Sequence, residues 1–191
     1  MKRSPGIIAE QRVLAEALEA RLAEESGTPD APVVVRDPYG VAPLSALVCF
    51  TTAQAEAFSV QLSDAQGRTY LRYNTPSATA HRIIVPALVN GAACSFAAVG
   101  TDGTRVQLAL PLAEVEAPML VAMEGAAPEN TLLYALPADG AGQPVAVNAF
   151  GDLCWTLTLP LNHRLTFLEN GHFLCGAPLQ LAPPYSGTAI W

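Results

Sequence analysis

Chemistry in a protein begins with histidine, cysteine and carboxylate side chains, and this sequence spaces them widely. The three histidines, His81, His163 and His172, fall in no HxH or HExxH pattern and have no accompanying Cys/His cluster. His163 stands between Asn162 and Arg164 in an expected turn, which suits turn capping or contact with an anion. His172 follows a turn glycine at the start of an expected strand, an ordinary polar edge position. Cys49, Cys94, Cys154 and Cys175 show no CxxC or zinc-like spacing, and each lies in an apolar run. Buried free thiols are the expectation. Asp37 and Asp152 precede turns, where Asp bonds its own backbone more often than it acts as an acid. There is no GxSxG elbow and no glycine-rich phosphate loop. The residues nominate no catalytic, cofactor-binding or metal-binding position.

The elements that would hold such residues are mostly strands. Apolar residues make up 51% of the chain and charged residues 14%, against roughly 25% charged in typical globular domains, which argues against disorder. Seventeen acids against 10 bases give a formal net charge of −7 with no basic cluster. Nucleic-acid binding, which rests on clustered Lys and Arg, is therefore not expected. Lys2 and Arg3 imitate a signal n-region, but residues 4–22 carry Glu10, Arg12, Glu16, Glu19 and Arg21 and no apolar h-region. No run approaches the roughly 20 apolar residues of a transmembrane helix. The chain reads as soluble and unexported.

Residues 8–25 read as an amphipathic helix with Leu14, Leu18 and Leu22 on one face, within an N-terminal segment 1–30. The stripe suits either packing on the following domain or dimerisation. Residues 31–116 read as an immunoglobulin-like β-sandwich, with strands at 32–36, 44–51, 57–64, 68–74, 80–86, 92–100 and 105–110. Turn signals at Asp64–Gly67, Asn90-Gly91 and Asp102-Gly103 separate several of them. Residues 117–130 read as a linker rich in Ala, Pro and Gly.

A second β region spans 131–191, with strands at 131–136 and 144–149 followed by the stretch 151–176. There, strands at 154–159, 164–168 and 172–175 are joined by turns, and Leu153, Trp155, Leu157 and Leu159 alternate with Cys154, Thr156 and Thr158. This is the pattern of one blade-like meander with one buried face. Strand-like runs follow at 179–182 and 188–191, and the chain stops at Trp191 inside the second. The expected fold is mainly β: an N-terminal helix, the sandwich, and the first blade of a truncated β-propeller with the start of the next.

Two segments resemble a known family. Asp37-Pro38-Tyr39-Gly40-Val41-Ala42-Pro43-Leu44-Ser45-Ala46-Leu47 resembles the opening of the N-terminal domain of bacterial aryl-sulfate sulfotransferases. Gly151-Asp152-Leu153-Cys154-Trp155 and Leu168-Glu169-Asn170-Gly171-His172-Phe173-Leu174 are similar to the blade that follows it, and residues 185–191 to the lead-in to the next. The resemblance implies exported homodimers with a six-bladed propeller. These transfer a sulfuryl group from a phenolic sulfate ester to a phenol through a covalent sulfohistidine, with no nucleotide sulfate donor. The catalytic residues lie in later blades, and no residue here matches them. Cys154 also departs from the family, which usually carries Arg before the blade Trp.

The leading expectation is therefore the N-terminal part of such an enzyme, inactive alone and homo-oligomeric through its N-terminal region. Phenolic sulfates would be substrates only of a full-length protein. The alternatives are a β-sandwich binding or assembly module without catalysis, and a structural fragment. The family is periplasmic or exported, whereas this chain shows no export signal.

Overall fold

The computed structural model describes residues 5–116, 128–135, 143–158, 166–167, 173–182 and 185–190. Helix α1 spans Pro5–Glu24. Seven strands follow: β1 (Val33–Arg36), β2 (Ala46–Glu56), β3 (Phe58–Ser63), β4 (Thr69–Asn74), β5 (Ala78–Val85), β6 (Cys94–Gly100) and β7 (Arg105–Leu110). Beyond them lie β8 (Leu133–Ala135), β9 (Val145–Val147), β10 (Leu153–Thr156), β11 (Thr166–Phe167), β12 (Phe173–Ala182) and β13 (Tyr185–Ile190). Among the described residues all pairings are antiparallel, in four open sheets ordered β1-β2-β5, β4-β3-β6-β7, β10-β9-β8 and β11-β12-β13.

Strand β2 shows how the layers stack. Its first five residues are all buried, so it is covered on both faces. Val48 and Phe50 face the main core with Phe58, Val60, Leu62 and Phe96 from the four-stranded sheet and Ile83 and Val85 from β5. Leu47 and Cys49 point the other way, against Leu18 of α1, with Leu22, Val33 and Val35 around them. Side chains alternate across a strand, so one strand can serve two interfaces. The helix thus packs on the following sheet through Leu18 and Leu22. Its chain returns closely: a Cβ on Gly27 would stand 2.9 Å from Val33 N and collide with the Cys49 carbonyl, so only glycine fits. Tyr70 is fully buried and donates its hydroxyl to the Ala87 carbonyl at 2.8 Å, which fixes β4 against the loop after β5.

The structure overturns the expectation of an immunoglobulin-like sandwich followed by a propeller blade. Among the described residues the sheets are open and none closes, unlike a propeller. The three strands expected as one meander divide between two sheets: β10 pairs with β9, while β11 pairs with β12. The reason is local connection plus burial. The 148–152 turn makes β9 and β10 a hairpin, in which the Asn148 side chain accepts the amides of Phe150 and Asp152 and donates to the Asp152 carboxylate. That hairpin is drawn into the main core, which takes in Val145, Leu153 and Cys154. The Asn90 amide donates to the Leu153 carbonyl at 2.8 Å. Nor does β10 carry one buried face, because Leu153, Cys154, Trp155 and Thr156 are all buried. The expected linker at 117–130 lies outside the described residues as far as 127.

Candidate functional site

Of the three histidines, only His81 falls within the described residues. It lies on β5, is 4% exposed, stacks on Phe50 with ring centroids 4.8 Å apart, and meets Phe58 edge-on at 4.8 Å. Its Nε2 lies 3.0 Å from the Thr52 hydroxyl. Burial lowers its pKa, favouring the neutral ring. His81 is a packed aromatic with a single hydroxyl partner. His163 and His172 lie outside the described residues.

Asp37 serves its turn. With φ at 43° it occupies the left-handed region, which Asp tolerates better than most residues. Its carboxylate accepts the Ala42 amide at 2.9 Å, its carbonyl accepts the Gly40 amide, and its own amide donates to Ser45. Asp152 likewise closes the β9–β10 turn and lies 3.4 Å from the Arg68 guanidinium. Arg68 also binds the Asp64 carboxylate at 2.6 Å and stands over the Phe150 ring at 4.2 Å. These acids are structural partners.

The thiols of Cys49, Cys94 and Cys154 are free and buried. Burial pushes Cys49 up to about 11 and Cys154 up to about 12, so neither offers a thiolate at neutral pH. Among the described residues no three His, Cys, Asp or Glu side chains come together to hold a metal ion.

No family model matches the chain, and no curated protein matches it. The expected immunoglobulin-like domain and propeller therefore find no support from known proteins, and the propeller fails on the sheet topology besides. Among the described residues, no helix is long and apolar enough to cross a membrane.

What the structure does bring together is the Asp37 turn and the end of β10. Thr158 donates its amide to the Val41 carbonyl, and Ala42, Leu132 and Tyr134 pack around the small core of Ala146, Trp155 and Leu157. Tyr134 meets Trp155 edge-on at 5.3 Å. The outer side of the turn faces α1, where Leu14 Cδ1 approaches Gly40. On α1 Val13 is 63% exposed and Leu14 40%, and in the turn Tyr39 is 42% exposed. Such a surface offers contact area and no reactive group.

The sequence reading passed over Glu56, a buried carboxylate at the end of β2. The register shift between Thr51 and Glu56 breaks the alternation that Val48 and Phe50 set, so period-two counting did not mark it.

Proposed function

We propose that this chain is a non-catalytic β module that works by assembly, through the N-terminal half of α1 and the adjoining Asp37 turn. The observation that carries this reading is the corner where Leu14 approaches Gly40, with Leu14 and the neighbouring Tyr39 exposed, Val13 exposed on the same helix, and Leu18 buried. Single exposed apolar residues are ordinary, whereas contiguous ones mark contact surfaces. A second copy of the chain, meeting through this region, is the proposed partner, and the acidic balance without a basic cluster speaks against nucleic acid. Sedimentation of the wild type and of a Val13→Asp/Leu14→Asp variant tests it. The expected result is a concentration-dependent oligomer that the variant loses while its melting temperature holds. A wild type that sediments as a monomer at every concentration overturns the reading.

A second reading follows from the resemblance: the chain is the N-terminal part of an aryl-sulfate sulfotransferase, inactive by itself, its phenolic sulfate substrates served only by a longer protein. One observation favours it. Ala42, in the first stretch similar to that family, packs against the small core to which Trp155, in the second, belongs. Sequencing the transcript beyond the codon for Trp191, then assaying the longer product for phenol-dependent release of nitrophenol from p-nitrophenyl sulfate, tests this reading. Fractionation of the same cells tests export. A transcript ending at that codon, or a longer product without transfer, overturns it.

A further inference from the structure

Asn90-Gly91, a turn signal in the sequence, is a junction in the fold. It lies between β5 and β6, where Gly91 takes a φ of 66°, a conformation that favours glycine. The Asn90 amide donates to the Leu153 carbonyl of β10 at 2.8 Å. Its side chain holds a third segment, the stretch after β7. Nδ2 donates to the Val115 carbonyl at 3.2 Å, and Oδ1 accepts the Val115 amide at 2.8 Å. The Gly91 amide donates to the Ala113 carbonyl at 2.9 Å. At the start of this stretch, Arg36 of β1 donates through Nη1 to the Leu112 carbonyl at 2.6 Å. Residues 112–115 thus form a strap, tied at one end by Arg36 and at the other by Asn90-Gly91, with Ala113 buried in the main core between them.

The same pair is chemically labile. Asparagine is among the thermolabile residues, and a following glycine puts no side chain in the way of the Asn carboxamide. The Gly91 nitrogen can attack Asn90 Cγ. A C–N bond forms, the Cγ–Nδ2 bond breaks, and Nδ2 leaves as ammonia with the proton of the Gly91 amide. Water then opens the five-membered succinimide to aspartate or isoaspartate. In the fold both reacting groups are occupied, the nitrogen by Ala113 and the carboxamide by Val115. Attack needs a free Gly91 nitrogen and a carboxamide free to turn, so the strap must open first.

We propose that Asn90 is a deamidation site gated by this strap, and that its conversion releases the strap irreversibly. An aspartate at this position has no donor for the Val115 carbonyl and sets acceptor against acceptor. Isoaspartate also lengthens the main chain by one carbon, just after the amide that holds β10. Each opening therefore exposes Asn90 to a reaction whose product favours further opening.

Peptide mapping of the full chain, aged at mildly alkaline pH, reads the conversion at Asn90. In the native chain it should be several-fold slower than in the same chain unfolded in urea, where Asn170-Gly171 gives the rate of an unprotected pair. Arg36→Met removes the donor to the Leu112 carbonyl. It should raise the native rate and leave the unfolded rate unchanged. If Arg36→Met does not fold, the wild type in urea below its unfolding transition carries the same test, and its rate should already rise. Asn90→Asp should raise amide exchange several-fold at Gly91 and Val115. Equal rates in native and unfolded chains, or no conversion in either, overturn the proposal. So does a native rate that ignores Arg36→Met or mild urea, or unchanged exchange in Asn90→Asp.

Discussion

The amide of Thr158 donates to the carbonyl of Val41 at 2.9 Å, across 117 residues of sequence. This bond ties the turn before β2 to the end of β10, and with Trp155 it makes the C-terminal hairpin part of the main body. A hairpin alone is marginal in water, and a third strand with a covered apolar face supplies what it lacks. Here β8 supplies the strand and the Asp37 turn supplies cover. Four consequences can be measured.

Trp155→Ala should destabilise the whole chain, because the residue is 4% exposed, meets Tyr134, and belongs to the small core against which Ala42 packs. The expected loss is about 3–5 kcal/mol in urea titration. Amide exchange should rise in β2 as well as in β9 and β10. Loss confined to the hairpin would show that the turn and the hairpin are not coupled.

Asp37→Ala removes the acceptor for the Ala42 amide and puts alanine at a positive φ. A cost of about 1–2 kcal/mol is expected. Asp37→Asn keeps an acceptor oxygen and tolerates the same φ, so it should recover most of the loss. Equal melting temperatures for the two variants would assign the effect to charge instead.

Leu18→Asp sets a carboxylate against Leu47 and Cys49. The buried contact is worth about 1.5–3 kcal/mol for the leucine alone, with a further cost for the unpaired charge. Undocking α1 should also expose Cys49, whose thiol burial now holds up at about 11. Faster labelling of Cys49 by a thiol reagent, with Cys94 still slow, is the expected signature. Unchanged labelling would mean that α1 does not cover this face in solution.

Stability should fall on both sides of mildly acidic pH. Burial opposes ionisation of Asp64, but the Arg68 amide and guanidinium and the Gln66 amide outweigh it and lower its pKa. A depressed carboxyl contributes stability that is present above its unfolded value, about 4, and lost as pH falls through the folded value. Glu56 has the opposite sign. Raised in the fold, it contributes stability below its unfolded value that is lost as pH rises through the folded one. Thermal melting against pH should show Asp64→Asn reducing the loss of stability on acidification and Glu56→Gln reducing the loss as pH rises above the ordinary carboxylate range. The reverse assignment would contradict both placements.

Much of this protein's local structure was legible in its residues. Leucines at i, i+4 and i+8 place α1, and period-two runs between turn residues place β1 through β7 within two residues of their observed ends, except that β2 runs on to Glu56, five residues past the expected end. Those features depend on near neighbours, which any stretch of sequence carries with it. Tertiary structure decided what neighbours could not. Strand β10 could have paired forward with β11 or backward with β9, and both patterns are apolar runs beside turn residues. Backward pairing let Leu153, Cys154 and Trp155 reach the main core and the Asp37 turn, and forward pairing was the mistaken expectation. Leu14 and Leu18 share one stripe, yet Leu18 is buried and Leu14 is 40% exposed, because the sheet face beneath α1 is covered by Leu18 and Leu22. Glu56 became a buried carboxylate against Gly100 only when the end of β2 met the end of β6. Burial and pairing are properties of surfaces that meet, and these surfaces come from segments far apart in the chain.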